Sequence, residues 1–208
     1  MSAKLEWATP DIDSRIAYMA RVSNPNAKPD DPYEKLIEYL LDHKHFSPFE
    51  MCNICINIET TRDIGRQLLR HRSLHFQEFS QRYSEIPHDP IYAEARLQDH
   101  KNRQNSILTD DLLLQKTWAG IQKASWECDL DRYKEALKLG IAKELARKLL
   151  PEGLTKTHMF VSGTVRDWFH YLCVRTGPET QLEHRELANE ILKICLEVAP
   201  ATFGRIEA

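Results

Sequence analysis

Residues 51–83 constrain the fold more than any other part of the chain. Residues 51–58 read as a strand, residues 61–72 as a helix and residues 74–83 as a second strand. The helix follows from Asp63 in its first turn, Ile64 and Leu68 four apart, and the absence of proline. The second strand follows from Phe76, Phe79 and Tyr83, all good β-formers. Sheet and helix must therefore follow one another with almost no linker.

The same stretch is cationic. Across residues 62–83, Arg62, Arg66, Arg70, Arg72 and Arg82, with His71 and His75, face only Asp63 and Glu78, in a chain of net charge −3. On the expected helix Arg62, Arg66 and Arg70 lie four apart and share one side. Like charges at that spacing destabilise a helix by roughly 0.2–0.5 kcal/mol per pair. Such an excess must be held apart by solvent or filled by an anion. On the expected strand Glu78, Ser80 and Arg82 point one way, and Gln77, Phe79 and Gln81 the other. An acceptor, a hydroxyl and a guanidinium fork in a row suit a ligand carrying both a phosphate and an amide-like ring edge. Polar residues on both faces favour a site over a purely structural strand.

Arg70, His71 and Arg72, then seven residues, then Ser80, continuing to Arg82 and Tyr83, resemble the signature of flavin-dependent thymidylate synthases. Ala20 to Ser23, the run His45 to Glu50, and Leu145 to Pro151 are similar to further motifs of that family. So are Gly163 to Arg166, His170, Val174 with Arg175, and Gln181 to Glu183, all in the family's order. The chain departs from those motifs at Met51, Thr164, His170 and Glu179. There the family commonly has histidine, asparagine, asparagine and histidine respectively.

The resemblance implies one α+β domain over residues 1–208, a mostly antiparallel sheet flanked by helices. It also implies a homotetramer with FAD and dUMP bound at subunit interfaces. The implied reaction is reductive methylation of dUMP to dTMP, with methylenetetrahydrofolate as one-carbon donor and NADPH as reductant by way of FAD. Carried over by position, the flavin residues are Ser23, His45, Ser47, Glu50, Arg70, His71, Arg72, Glu78, Thr164, Arg166 and His170. The nucleotide residues are Gln67, Leu68, Leu69 and Arg70 from one subunit, Glu78, Phe79, Ser80, Gln81 and Arg82 from another, and Arg147. Arg66 is a weaker candidate for that pocket. Arg175 matches the arginine that binds and activates the uracil ring, which makes it the candidate catalytic residue.

Methylation at C5 needs an electron-rich uracil. A cysteine adding to C6 is one route, but Cys52, Cys55, Cys128, Cys173 and Cys195 show no histidine–arginine setting that would activate a thiol. Cys52 and Cys55 lie three apart on a strand, on opposite faces, so they do not read as a metal or redox pair. All five suit reduced core thiols of a cytoplasmic protein. The other route is electrostatic: a guanidinium against the N3/O4 edge favours the N3-deprotonated, enolate-like ring. Arginine remains charged at any working pH and offers a planar fork. Ser80 has no evident activating histidine and reads as a phosphate ligand rather than a nucleophile. His71 and His75, four apart, imitate a metal pair, yet Arg70 and Arg72 would repel a cation, and no metal site is expected.

The 208 residues suffice for one domain burying roughly 70% of its extended surface. No apolar run approaches a membrane span, and residues 1–10 have no signal-peptide core. A nucleic-acid module would need a broad basic face, which a pI near 6.3 does not suggest. No glycine-rich dinucleotide loop occurs, so arginines would have to meet the flavin phosphates. Other expected elements are a strand near 4–8 and helices near 12–21 and 32–44. A polar, mobile segment is expected over 84–108, with an extra strand at 92–98. Helices near 109–127 and 129–149, a strand near 157–161 and helices near 163–174 and 179–199 complete the order. On the last helix His184, Ala188, Ile191, Cys195 and Val198 form a packing stripe.

Overall fold

Four strands form the main sheet of the computed structural model, which describes residues 1–206. They are β1 (Ser2–Ala8), β2 (Asn53–Thr61), β3 (His75–Glu78) and β6 (Lys156–Thr164), in the order β1-β2-β6-β3. On β2, Ile54, Ile56 and Ile58 make one buried face, and Cys55 is buried on the other, where Glu59 is exposed. β6 alternates, burying Thr157, Met159, Val161 and Gly163 and turning the residues between them outward. The expected mixture of helix and antiparallel sheet is what the chain adopts.

The chain divides into two units. One consists of Met1, residues 59–70 and residues 78–159; the other holds residues 2–58, 71–77 and 160 onward.

In the first unit, helix α3 is Arg62–Leu68, shorter than the expected 61–72. The chain leaves the helix at Leu69, and Arg70 keeps only a turn-type bond to the Gln67 carbonyl. The arginine stripe is therefore broken after Arg66. The hairpin β4 (Arg96–Gln98) and β5 (Ser106–Leu108) is antiparallel, with Leu97 opposite Ile107. The long helix α4 (Leu112–Lys138) replaces the two helices expected around residues 109–149. Asp111 caps it by accepting from the Leu113 and Leu114 amides at 2.9 and 3.0 Å. Nothing at residues 127–129 breaks it, because Gln122, Trp126, Leu130 and Tyr133 continue one buried stripe. It stops at Gly140, whose φ of +78° suits glycine, where the Ile141 amide bonds the Ala136 carbonyl. Trp126, Leu130 and Tyr133 pack with Ile86, Ala146 and Leu150.

The segment expected to be mobile is clamped to α4. The Gln122 and Gln115 side-chain amides pair with the backbones of Ala93 and Ala95, and Trp118 donates to the Ala93 carbonyl. After α4 come α5 (Lys143–Ala146) and a 3-10 turn, Arg147–Leu149.

In the second unit, α1 (Ile12–Ala20) and α2 (Glu34–Asp42) precede a 3-10 turn at Ser47–Met51. Thr164 ends β6 and caps α6 (Val165–Arg175) through a reciprocal pair with Asp167. α6 buries Val165, Trp168, Tyr171 and Leu172, and the Trp168 indole donates to the Ile54 carbonyl at 3.0 Å. α7 (Leu182–Val198) buries His184, Ala188, Ile191 and Cys195, most of the expected stripe. The short α8 (Pro200–Phe203) is held by buried Asp13, which accepts from the Ala201 and Thr202 amides and the Thr202 hydroxyl. Among the described residues no helix is long and apolar enough to cross a membrane.

Candidate active site

The expected strand over 74–83 ends at Glu78, where the chain passes back into the first unit. The Phe79 amide still bonds the His158 carbonyl at 2.8 Å, but the Tyr83 and Ser84 amides both turn back to the Ser80 carbonyl. The Ser80 hydroxyl accepts from the Arg82 amide at 3.4 Å, a local bond that competes with extended pairing. Glu78, Ser80 and Arg82 therefore do not form one polar row. Glu78 instead accepts from the Thr157 hydroxyl at 2.6 Å and from Arg62 at 3.3 Å. Arg66 grips Glu152 through Nε and Nη2. Part of the cationic excess is thus answered by carboxylates of the chain itself.

Arg82 and Arg147 meet around α5. Arg82 Nε lies 3.6 Å from the Glu144 carboxylate, Arg147 Nε donates to the Glu144 carbonyl at 3.4 Å, and Lys143 Nζ donates to the Tyr83 carbonyl at 3.2 Å. Three cations and the Ser80 turn thereby share one neighbourhood. Leu68 is buried and Gln67 and Phe79 are partly so, whereas Leu69 and Arg70 are exposed. Gln81 is 3% exposed, with its Nε2 unpartnered.

In the second unit Glu50, Thr164, Arg166 and His170 line one cavity of about 860 Å³ with Phe46, Met51, Ser73, Asp167, Phe169 and Cys173. Arg166 pairs closely with Glu50, and its guanidinium carbon lies 5.6 Å from the Phe46 ring centroid. Two further cavities adjoin it through shared residues. One, of about 640 Å³, shares Met51 and includes Arg21, Val22 and Ser47; the other, of about 510 Å³, shares Phe46 and Arg166 and includes Lys44, His45 and Ser47. Ser23 and Arg72 are exposed and line none of the three, while Ser73 borders the first.

His71 does something else. Its Nε2 accepts the Nε–H of Arg175 at 2.9 Å. Burial, then the Arg175 charge and then His170, holds the His71 pKa down to about 4, so the ring is neutral near pH 7. Its edge meets the Tyr171 ring at 4.9 Å between centroids, and the Tyr171 hydroxyl lies 3.1 Å from His184 Nε2. Cys52, Cys55 and Cys195 are buried, and burial raises their thiol pKa values, which keeps them protonated and weakly nucleophilic; Cys173 is exposed.

Sequence reasoning missed Glu144, Glu152, Thr157, Tyr171 and His184. Glu144 sits one helical step from Arg147, which was a usable signal. Tyr171, one turn before Arg175 on the same helix, was also within reach of helical spacing; Glu152, Thr157 and His184 are joined to the candidates only by tertiary contacts.

A model of the thymidylate synthase complementing protein family matches residues 4–201. The chain belongs to that family. A Paramecium bursaria Chlorella virus 1 protein named probable flavin-dependent thymidylate synthase is 44% identical over 97% of this chain and 96% of its own length. A Synechocystis protein named flavin-dependent thymidylate synthase is 46% identical over 92% of this chain and 88% of its own. Among solved structures, a UMP/dUMP methylase, PolB, from Streptomyces cacaoi bound with 5-Br dUMP superposes with a TM-score of 0.88. It is 24% identical and covers 98% of this chain and 93% of that one, a likeness of fold.

Proposed function

We propose that this family member is a flavin-dependent thymidylate synthase that reductively methylates dUMP to dTMP. The observation that carries the reading is end-to-end identity above 40% with relatives of that name, on a chain holding the Arg70, His71, Arg72 and Ser80 pattern.

The second unit fits a flavin dinucleotide. Its three adjoining cavities suit an extended ligand, Phe46 and Phe169 offer apolar surface, and Arg166 with Lys44 offers positive charge. Glu50, Thr164, Arg166 and His170, with Ser47 and His45, would hold FAD. When bound, a flavin supplies the hydride that reduces the transferred one-carbon unit. Methylenetetrahydrofolate is the proposed carbon donor and NADPH the reductant.

In the first unit Arg82, Arg147 and Ser80 supply the charge and hydroxyl that a 5′-phosphate needs. Gln67, Arg70, Glu78 and Gln81 complete the proposed dUMP set. Arg175 withdraws charge at N3/O4 and lets negative charge reach C5. No cysteine nucleophile enters this scheme; Cys52, Cys55 and Cys195 are buried in the core. The proposed assembly is a homotetramer. Leu112, Leu113 and Tyr83 are exposed apolar side chains that such an assembly would have the opportunity to cover.

The test is the purified protein with dUMP, methylenetetrahydrofolate and NADPH, assayed for dTMP, with UMP as the alternative acceptor. The expected result is dTMP formation and a flavin absorbance bleached by NADPH. Flavin-free protein that forms no dTMP would reject the proposal.

A further inference from the structure

Arg175 is the last residue of α6 and lies one turn after Tyr171, so both project from one side of the helix. Between them sits the His71 ring, accepting from Arg175 at 2.9 Å and edge-on to Tyr171. Tyr171 is itself fixed on two sides. Its ring meets Trp168 edge-on at 5.7 Å, and its hydroxyl lies 3.1 Å from His184, which is 0% exposed. Trp168 is tied in turn to β2 through the Ile54 carbonyl. The row Arg175, His71, Tyr171 and His184 therefore ends in the core of the unit. An arginine at a helix end ordinarily retains several rotamers, and fixing such a side chain costs conformational entropy. Here that cost is met before any ligand arrives.

We propose that His71, backed by Tyr171 and His184, is a positioning residue that holds the Arg175 guanidinium in one plane. Its Nε–H is engaged by imidazole, and Nη1 and Nη2 are presented to the uracil edge. The inference rests on the reading of Arg175 as the uracil-activating group. It gives His71 a task distinct from flavin contact.

The test follows the Arg175 Nε–H directly, in flavin-free protein labelled with 15N-arginine. His71→Leu removes the acceptor, and solvent exchange of that proton should rise about ten-fold, the worth of one hydrogen bond near 1.4 kcal/mol. His71→Gln, which restores a side-chain acceptor, should recover most of the protection. Tyr171→Phe, which keeps the ring and loses the tether to His184, should lie between them. In reconstituted protein, kcat with dUMP should fall with exchange across the series while KM moves little. Unchanged Nε–H exchange in His71→Leu overturns the proposal, whether or not flavin is lost, because His71 would then be a flavin contact alone. If exchange responds but Arg175→Lys retains turnover, the uracil-activating reading fails while the hydrogen-bonded row stands.

Discussion

The bond from Arg175 Nε to His71 Nε2, 2.9 Å long, exists only while His71 is neutral with its proton on Nδ1. Burial is the main reason the ring stays neutral, and the guanidinium that donates to it is the second. The residue expected to polarise a pyrimidine is thus anchored by a histidine that the sequence motif links to the flavin. A charge held this way needs no reorganisation at the moment of reaction, which is the condition for electrostatic catalysis.

Replacing that arginine tests the chemistry. Arg175→Lys keeps a positive charge but loses both the fork and the Nε–H that His71 accepts. Turnover of dUMP should drop on the order of 10²–10³-fold. Flavin absorbance per subunit should be retained, since Arg175 is absent from the lining of the large cavity. Turnover within three-fold of the parent would remove Arg175 from the mechanism.

Ser80 separates binding from covalent chemistry. Its hydroxyl accepts from the Arg82 amide within a turn, a setting for a hydrogen bond and not for an activated nucleophile. Ser80→Ala should raise the dUMP concentration needed for half-maximal rate by about five- to ten-fold, the worth of one hydrogen bond. Product formation should remain measurable at saturation. Abolished turnover with nucleotide binding intact, read by calorimetry, would make Ser80 a nucleophile.

Acid should weaken the protein through its histidines. The pKa values of His71 and His184 are depressed from 6.5 to about 4 and about 3, chiefly by burial. Below pH 6.5 the unfolded chain therefore binds protons that the native state refuses. Stability should be full above that pH and decline as pH falls toward 4, by a few kcal/mol in all. Urea unfolding from pH 7.5 to 4 measures it. A His184→Gln variant should show a shallower decline, and an identical slope would show that His184 titrates normally.

Gly163 is required by a close approach. A Cβ built there would overlap Leu74 Cδ2 and lie 3.3 Å from Asp167 Cβ. Gly163→Ala should destabilise the protein by about 1–3 kcal/mol through overpacking, lowering Tm by roughly 2–4 °C per kcal/mol at this size. Differential scanning calorimetry decides it, and an unchanged Tm would mean that Leu74 yields freely.

Much of this molecule is legible in the chain. β2, α1, α6 and α7 lie close to where apolar spacing places them, because each buries a face that the sequence marks. Glu50, Thr164, Arg166 and His170, far apart in sequence, were joined by motif and line one cavity. The errors have physical causes. The strand expected over 74–83 stops at Glu78 because the Ser80 hydroxyl and carbonyl hold a turn that β-propensity does not register. The helix expected over 61–72 ends at Leu68, and Leu74 is buried soon afterwards against the bare Cα of Gly163. The segment 84–108 reads as mobile in sequence because the partners that hold Ala93 and Ala95, namely Gln115, Trp118 and Gln122, are distant in the chain, while part of the strand expected at 92–98 is present as β4.

By itself the sequence determined the element types, the arginine supply and the family, since periodicity and motif spacing are local properties. Only the tertiary structure decided which charges are already paired. Glu78 reaches Arg62 across 16 positions, Arg66 meets Glu152 across 86, and Arg175 finds His71 across 104. Such pairings depend on where folding brings distant backbones together, and on the burial that keeps an imidazole neutral enough to accept a guanidinium proton.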